Sequence, residues 1–469
     1  MNGLVWLRSD LRIDDNPALN IASFECKKLF CIYLLADKEW NLHNNANVKL
    51  DFILRNLQSL SGDLQRLNIP LISGSATSFD EIPNVISEIC ISNNVKKCYW
   101  NNEFGVDEKN RDQNVESNLK SSGIEYQSFD DQTFFKPGTL LTSQGNSFSV
   151  FTPFKKKWAE NFSLDHLEIG SDIPIKEPFK LTNTLNRDIL FKKTHSVDME
   201  LWPSGEVAAR GRLKDFLSKK IFSYSKDRND PILDGTSRIS PYLAIGVFSN
   251  RRCILEALKL NNFELEAGNK GICKWIDEII WREFYKNIMH SFPRVSMNQP
   301  FNMSTTSIQW RHNEEEINAW KNGKTGFPLI DAAMLQLKYE GWMHNRLRMV
   351  VAMFFTKNLL HDWQIGEAFF MENLIDGDFA SNNGGWQWSA STGTDAAPYF
   401  RIFNPVTQSQ NFDSEGKFIK KYLPQLTSFD NKEIHLPLPE HLHKIDYPEQ
   451  IVDLKSSRLR AIEAFKSNK

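Results

Sequence analysis

Cysteine is scarce in this chain, with six in 469 residues, no CxxC pair and no His/Cys spacing of a zinc site. A disulfide-stapled secreted scaffold and a thiolate metal centre are therefore excluded. Cys26, Cys31, Cys90, Cys98, Cys253 and Cys273 are expected to be reduced, mostly buried thiols of a cytoplasmic protein. Long hydrophobic runs are missing too. The start, MNGLVWLRSDLRIDD, turns to arginine and aspartate after five apolar residues. No later run reaches the roughly 18 apolar residues of a membrane span, so neither a signal peptide nor a membrane anchor is expected. Charge of one sign is also lacking: 56 basic residues face 58 acidic ones, for a net charge of −2. A general attraction to polyanions is excluded, and any nucleic-acid contact must come from a local basic patch. Finally, no GxGxxG follows the first apolar run, where SDLRIDDNPAL stands, which argues against a standard dinucleotide site there.

What is present is enough chain for two or three domains, since one domain takes about 150 residues. Apolar residues at 41% and charged residues at 24% are the balance of a globular protein with a sizeable core. Over residues 1–135 short apolar runs (Leu4–Leu7, Leu29–Leu35, Ile69–Ile72, Cys98–Trp100, Tyr126–Phe129) alternate with amphipathic stretches such as Val48–Leu67 and Ile82–Ile91. That alternation predicts an α/β domain with a parallel, doubly wound sheet. Asn16 and Pro17 read as the cap and first residue of its first helix. Residues 136–203, rich in Pro, Ser, Thr and Asn, read as a surface linker, and Lys155, Lys156 and Lys157 in it as a solvated face. From 204 to 469 the period is helical, as in Trp275–His290, Phe327–Tyr339, Asn345–Leu359 and Gln364–Ile375, which predicts a large all-α domain.

Four segments can carry chemistry. DGTSRISPYLAIG (234–246) sets hydroxyls and an arginine before an apolar helix, with Ser240 as cap and Pro241 first in the helix; it reads as an anion site or as an ordinary capped helix. In CKWIDEIIWREFYKNIMH, helical spacing gathers Glu278, Trp281 and Arg282, a set that can stack on a base and hold a phosphate, or be an exposed ion pair beside a core indole. GWMHNRLRM brings Asn345, Arg346, Arg348 and Met349 to the lip of an apolar helix. The fourth, Leu374–Pro405, reads as a long polar loop around a flat ligand, with Asp376, Asp378, Asn382 and Asn383 facing its heteroatoms.

In this combination the chain resembles the photolyase/cryptochrome flavoproteins, and within them the bacterial class I photolyases of cyclobutane pyrimidine dimers. The resemblance runs through LVWLRSDLRIDDNPAL, FTPFKKKW, TSRIS, WREF, TGFPLIDAAMLQL, GWMHNRLRM, NNGGWQW and TGTDAAPYFRIFNP. It implies a Rossmann-like antenna domain and a helical domain holding FAD. The implied flavin contacts are Tyr224, Thr236, Ser237, Arg238, Ile239, Ser240, Trp275, Arg348, Asp376, Gly377, Asp378 and Asn382. Arg228, Glu278, Trp281, Arg282, Asn345, Arg346, Met349 and Gln408 would receive UV-damaged DNA, single- or double-stranded, and the flipped dimer. Within that set Glu278 would bond the dimer, Trp281 would stack on it, Met349 would pack on it and Asn382 would face the flavin. Light-driven electron transfer from reduced, anionic FAD to the dimer is the implied reaction, with no metal and no membrane, in a monomer.

Relatives acting on (6-4) products carry histidines at the positions of Asn345 and Met349, and plant-type cryptochromes an aspartate at that of Asn382, so dimer repair is expected rather than a signalling role. His43 and Glu108 match folate-binding positions, which implies a methenyltetrahydrofolate antenna; Asp107 and Ser296–Met297 depart from that pattern and keep a deazaflavin or an empty pocket as alternatives. The resemblance also gives the chain's 13 tryptophans, which outnumber its 10 tyrosines, a use. Trp386, Trp363 and Trp310 match an electron chain to the flavin, while Trp320, Trp342 and Trp388 read as core filling.

Overall fold

The computed structural model describes residues 1–167, 170, 172–182, 185, 187–442 and 445–466. Five strands, β1 (Asn2–Leu7), β2 (Lys28–Ala36), β3 (Leu71–Ala76), β4 (Val95–Asn101) and β5 (Glu125–Phe129), form a parallel sheet in the order β3-β2-β1-β4-β5. In register, Leu4 lies between Phe30 and Cys98. Alternate residues feed two cores: Leu4, Trp6 and Ile32 one face, Val5, Leu7 and Cys31 the other. Burial on both faces is why these runs are almost continuously apolar. The crossover helix Pro17–Glu25 starts where Asn16 Oδ1 accepts the Leu19 N–H at 3.1 Å, with Pro17 as its first residue. The third strand begins later than Ile69. Asn68 is left-handed (φ 57°) and the Ile69 N–H bonds back to Leu64 O, so Ile69 closes the preceding helix Asn47–Gln65.

The strand order reverses between β1 and β4, the place where open α/β sheets receive ligands. There Ser9 Oγ donates to Glu103 at 2.7 Å, Arg8 pairs with Asp112 at 3.0 Å and bonds Asn101 O, and Arg111 pairs with Glu103 at 2.9 Å. Buried charged side chains stand where a nucleotide-binding sheet has a glycine-rich turn.

Residues beyond 204 are helical, with Lys270–Ser291 the longest element. The expected run 345–359 is α-helical over Asn345–Met353 and continues as a π-turn over Phe354–Asn358. The segment expected as linker contains the helix Phe151–Asn161, which buries Phe151, Phe154 and Trp158. Other parts of it follow the first domain: Arg187 O accepts the Ser75 N–H and Leu67 O the Lys176 N–H. One apolar core runs from Val5, Leu7 and Phe52 through Trp158 and Trp202 to Ile272, Trp275 and Phe284, so sheet and helices share it; a second, around Trp320, Phe355 and Trp386, lies within the helices. The six cysteines are free thiols, five buried and Cys273 half-buried. No helix among the described residues is long and apolar enough to cross a membrane.

Candidate active site

The helix Lys270–Ser291 is set by its cap, Asn269 Oδ1, which accepts the N–H groups of Gly271 and Ile272 at 2.8 and 3.1 Å. Trp275, Ile279 and Phe284 go into the core. On the other face Lys274, Glu278, Trp281, Arg282 and Tyr285 line a cavity of about 370 Å³. Asn345, Arg348 and Met349 of the helix Asn345–Met353 line it too, as do Asp376, Asp378, Asn382, Trp386 and Trp388. The i, i+4 spacing within each motif is what puts these side chains on one wall.

The floor is a set of committed polar pairs. Arg348 Nη2 donates to both oxygens of Asp376 at 2.9 and 2.8 Å, and the Ser240 hydroxyl donates to Asp376 Oδ2 at 2.7 Å. That bond corrects the reading of Ser240 as a helix cap. It is the first residue of the short Ser240–Ala244 turn and its oxygen is held by the carboxylate instead. Asp378 is 2.9 Å from Lys286 Nζ and 3.6 Å from Arg282, and accepts the Ser381 N–H at 3.0 Å. Burial would raise its pKa, yet the Lys286 and Arg282 charges hold the carboxyl far below the usual range. Asn382 Nδ2 donates to the side chain of Glu367 at 2.8 Å and to its carbonyl at 3.0 Å. Burial pushes the Glu367 carboxyl up to about 7, the Asn382 bond opposing only partly.

On the upper wall Glu278 accepts a bond from Arg228 and lies 3.4 Å from Lys274 Nζ. Arg282 is turned inward, donating to the carbonyls of Gln132 and Leu243 at 2.9 and 3.0 Å. His344 senses the local charge: burial, then Arg238, Arg346, Arg348 and Arg228, push it down to about 3. Of these four arginines, Arg228, Arg238 and Arg348 are paired with Glu278, Glu340 and Asp376, and Arg346 donates to the amide oxygen of Asn229. Thr236, Ser237 and Arg238 line a second cavity of about 280 Å³ with Arg212 and Lys220, and the Trp275 indole N–H donates to Ser237 Oγ at 3.3 Å.

Other expected residues lie outside these walls. Tyr224 is buried beneath Arg228, whose guanidinium is 5.5 Å from its ring centre, and Ile239 is buried with its carbonyl accepting the Tyr242 N–H. Arg346 donates to Asn229 Oδ1 at 2.7 Å, and half-buried Gln408 lies on the helix Pro405–Phe412. The Gly377 carbonyl accepts Lys49 Nζ at 2.7 Å; burial pulls that amine down to about 8, against the pull of Asp378 and Glu103. His43 Nε2 is 3.0 Å from Asp107 and its Nδ1 3.8 Å from Glu108, away from both cavities. Of the tryptophans, Trp386 is buried in the wall of the larger cavity, Trp363 is buried outside it, and half-buried Trp310 meets Phe465 edge-on. Trp363 starts the helix Trp363–Asn373, on which Trp386 lies so closely that a Cβ at Gly366 would overlap its ring.

Three further sequence expectations change. Residues 379–390 of the expected loop are the helix Phe379–Ala390, capped by Asp378 and packed against Tyr285 at Gly384, where a Cβ would overlap the ring. Trp388 is half-buried and lines the larger cavity, opposite its assignment to the core. Trp342 is buried but not plain filling, since its N–H donates to Ser240 Oγ at 3.3 Å and Arg238 lies 4.7 Å over its ring. Sequence reasoning also missed Glu367 and Lys286. Each is one charged residue of an amphipathic helix, with no local signal of where it points.

A model described as the FAD binding domain of DNA photolyase matches residues 275–467, and one described as DNA photolyase matches residues 3–176. Over 470 residues the chain is 38% identical to the deoxyribodipyrimidine photo-lyase of Vibrio cholerae, covering 99% of each. The chain belongs to the DNA photolyase family. It is 37% identical to the Escherichia coli deoxyribodipyrimidine photo-lyase over 99% of this chain and 98% of that one. A bacterial class III photolyase from Agrobacterium tumefaciens superimposes with a TM-score of 0.86 at 30% identity, covering 100% and 97% of the two chains. A Synechocystis cryptochrome gives 0.89 at 25% identity over 99% of each chain. As a photolyase-family member the chain carries the FAD-binding domain, and its donor set fits FAD. Hydroxyls and arginine beside the 280 Å³ cavity suit a pyrophosphate, and asparagine and paired carboxylates on the floor of the other suit a flat heteroaromatic edge.

Proposed function

We infer that this protein is a light-driven deoxyribodipyrimidine photo-lyase, a carbon–carbon lyase that splits cyclobutane pyrimidine dimers in UV-damaged DNA, single- or double-stranded, as a cytoplasmic monomer. The observation that carries the reading is one cavity presenting two half-buried indoles, Trp281 and Trp388, beside Glu278 and Asn345, above the Asp376–Asn382 floor. Bound reduced FAD supplies the electron that light sends to the dimer. Arg348, Asp376 and Ser240 fix the floor, and Thr236, Ser237 and Arg238 hold the phosphates. Trp281 offers a stacking face, Met349 packs on the lesion, and Asn345 and Glu278 bond its edge. Arg228 and Lys274, which neutralise Glu278 in the free protein, take up DNA phosphates together with Arg346 and Gln408. Trp310, Trp363 and Trp386 pass electrons inward to oxidised flavin. His43 and Glu108 hold a methenyltetrahydrofolate antenna. Identity is higher to the repair enzymes than to the cryptochrome, which favours repair over a signalling role.

The test is blue-light illumination of reduced protein with a dimer-containing oligonucleotide, read as restored base absorbance. Glu278→Ala is expected to lose most of the repair yield with flavin absorbance intact. Full repair by that variant removes Glu278 from the reaction, and no repair by the parent removes the activity.

A further inference from the structure

Phe151, in the segment whose sequence reads as a linker, lies face to face with Trp281, ring centres 3.7 Å apart and planes within 8° of parallel. Such close overlap is not what two free aromatic rings prefer; offset or edge-on arrangements are favoured. Neighbours therefore impose it. The Phe151 N–H donates to Asp395 Oδ2 at 3.2 Å and the Thr394 hydroxyl to Ser149 O at 2.6 Å, tying this strip to the loop after the 379–390 helix. One turn on, Lys155 Nζ is 2.6 Å from Asp277 of the 270–291 helix. Phe284 meets both rings edge-on, at 5.8 Å from Phe151 and 5.6 Å from Trp281. Trp281 thus has one face covered and one edge walled, while it still lines the cavity.

We propose that Phe151 is a positioning residue for lesion recognition: by backing Trp281 it fixes the indole plane and leaves a single face for a flipped pyrimidine dimer. This rests on the assignment of Trp281 as the stacking platform. A platform already held in place loses no rotamer freedom on binding, and the second ring extends the stack.

The test uses the FAD-loaded protein and paired oligonucleotides with and without a dimer, in the dark. Phe151→Leu is expected to weaken dimer binding roughly three- to tenfold, the size of one aromatic pair, with undamaged DNA affinity and flavin content unchanged and Tm lowered only by the loss of a buried ring. Phe151→Met, which keeps volume without a ring, is expected to lose as much, and Phe151→Tyr to bind like the parent. In a Trp281→Ala background Phe151→Leu is expected to add nothing. Parent-like dimer binding by Phe151→Leu or Phe151→Met, equal losses for damaged and undamaged DNA, or additive losses in the double variant overturn the proposal. Parent-like binding by Trp281→Ala alone instead overturns the platform on which it stands.

Discussion

Asp376 accepts three short hydrogen bonds in a buried corner, two from Arg348 and one from Ser240. Removing its charge leaves a guanidinium aimed at a neutral group beside the flavin cavity. Asp376→Asn is expected to weaken FAD retention by about ten- to a hundredfold, from about 1.5–3 kcal/mol for a hydrogen bond to a charged group; flavin absorbance retained on purification reads it, and full retention contradicts it. Trp386→Phe acts on a different step. It is expected to block photoreduction of oxidised flavin while protein reduced chemically beforehand repairs at the parent rate, whereas unchanged photoreduction removes Trp386 from the chain. The sequence singles out both residues, Asp376 by a dense polar segment and Trp386 by the family resemblance. Glu367 and Trp388 were not legible in it: what they touch is decided by how three helices meet, and spacing along one helix does not report that.

Elements were legible in kind more than in extent. Strands and long helices announce themselves by period, whereas Phe379–Ala390, with Asn382, Asn383, Gly384 and Gly385 in its middle, has poor intrinsic helix propensity. It is helical because Asp378 caps it, because its Gly384 lets the Tyr285 ring approach, and because Gly366 of the helix Trp363–Asn373 makes room for its Trp386. Gly366→Ala is expected to destabilise the protein by about 1–3 kcal/mol through overpacking against Trp386. Gly62, inside the helix Asn47–Gln65 with nothing within 4 Å of a Cβ, is the control. Gly62→Ala is expected to be neutral or stabilising by up to about 1 kcal/mol. Denaturant midpoints compare the two, and equal effects would mean that the close approach at Gly366 is not what sets its size.

At the scale of the whole molecule the α/β and helical parts were legible as separate periods, but their junction was not, since its contacts join residues more than 100 positions apart. Asp131 is 2.6 Å from Arg12 and 2.8 Å from Arg251, and Glu206 accepts the Ile13 N–H at 2.6 Å. Asp131→Ala leaves the buried Arg12 guanidinium and the half-buried Arg251 one each short of a partner and is expected to cost about 3–5 kcal/mol, read as a lowered Tm; an unchanged Tm would mean that the shared apolar core alone sets the junction. A second carboxylate at this junction titrates. Glu283, buried in the 270–291 helix, accepts the N–H groups of Phe134 and Phe135 at 2.7 and 3.1 Å. Burial outweighs those bonds and lifts its pKa to about 7. An unfolded glutamate releases its proton near about 4.3, so between the two values the folded chain holds a proton that the unfolded chain does not. That contribution to stability is complete below about pH 4 and is lost as pH rises through about 7. Burial lifts Glu367 to about 7 and Asp331 to about 6, so both act with the same sign. Buried His344, held down to about 3, acts with the opposite sign up to about pH 6.5, so the fall in Tm expected from pH 5 to pH 8 is the net of the two, and Glu283→Gln, which cannot release a proton, is expected to show a shallower fall. A variant profile parallel to the parent's would place the slope on Glu367 and Asp331 and leave Glu283 ionised at neutral pH.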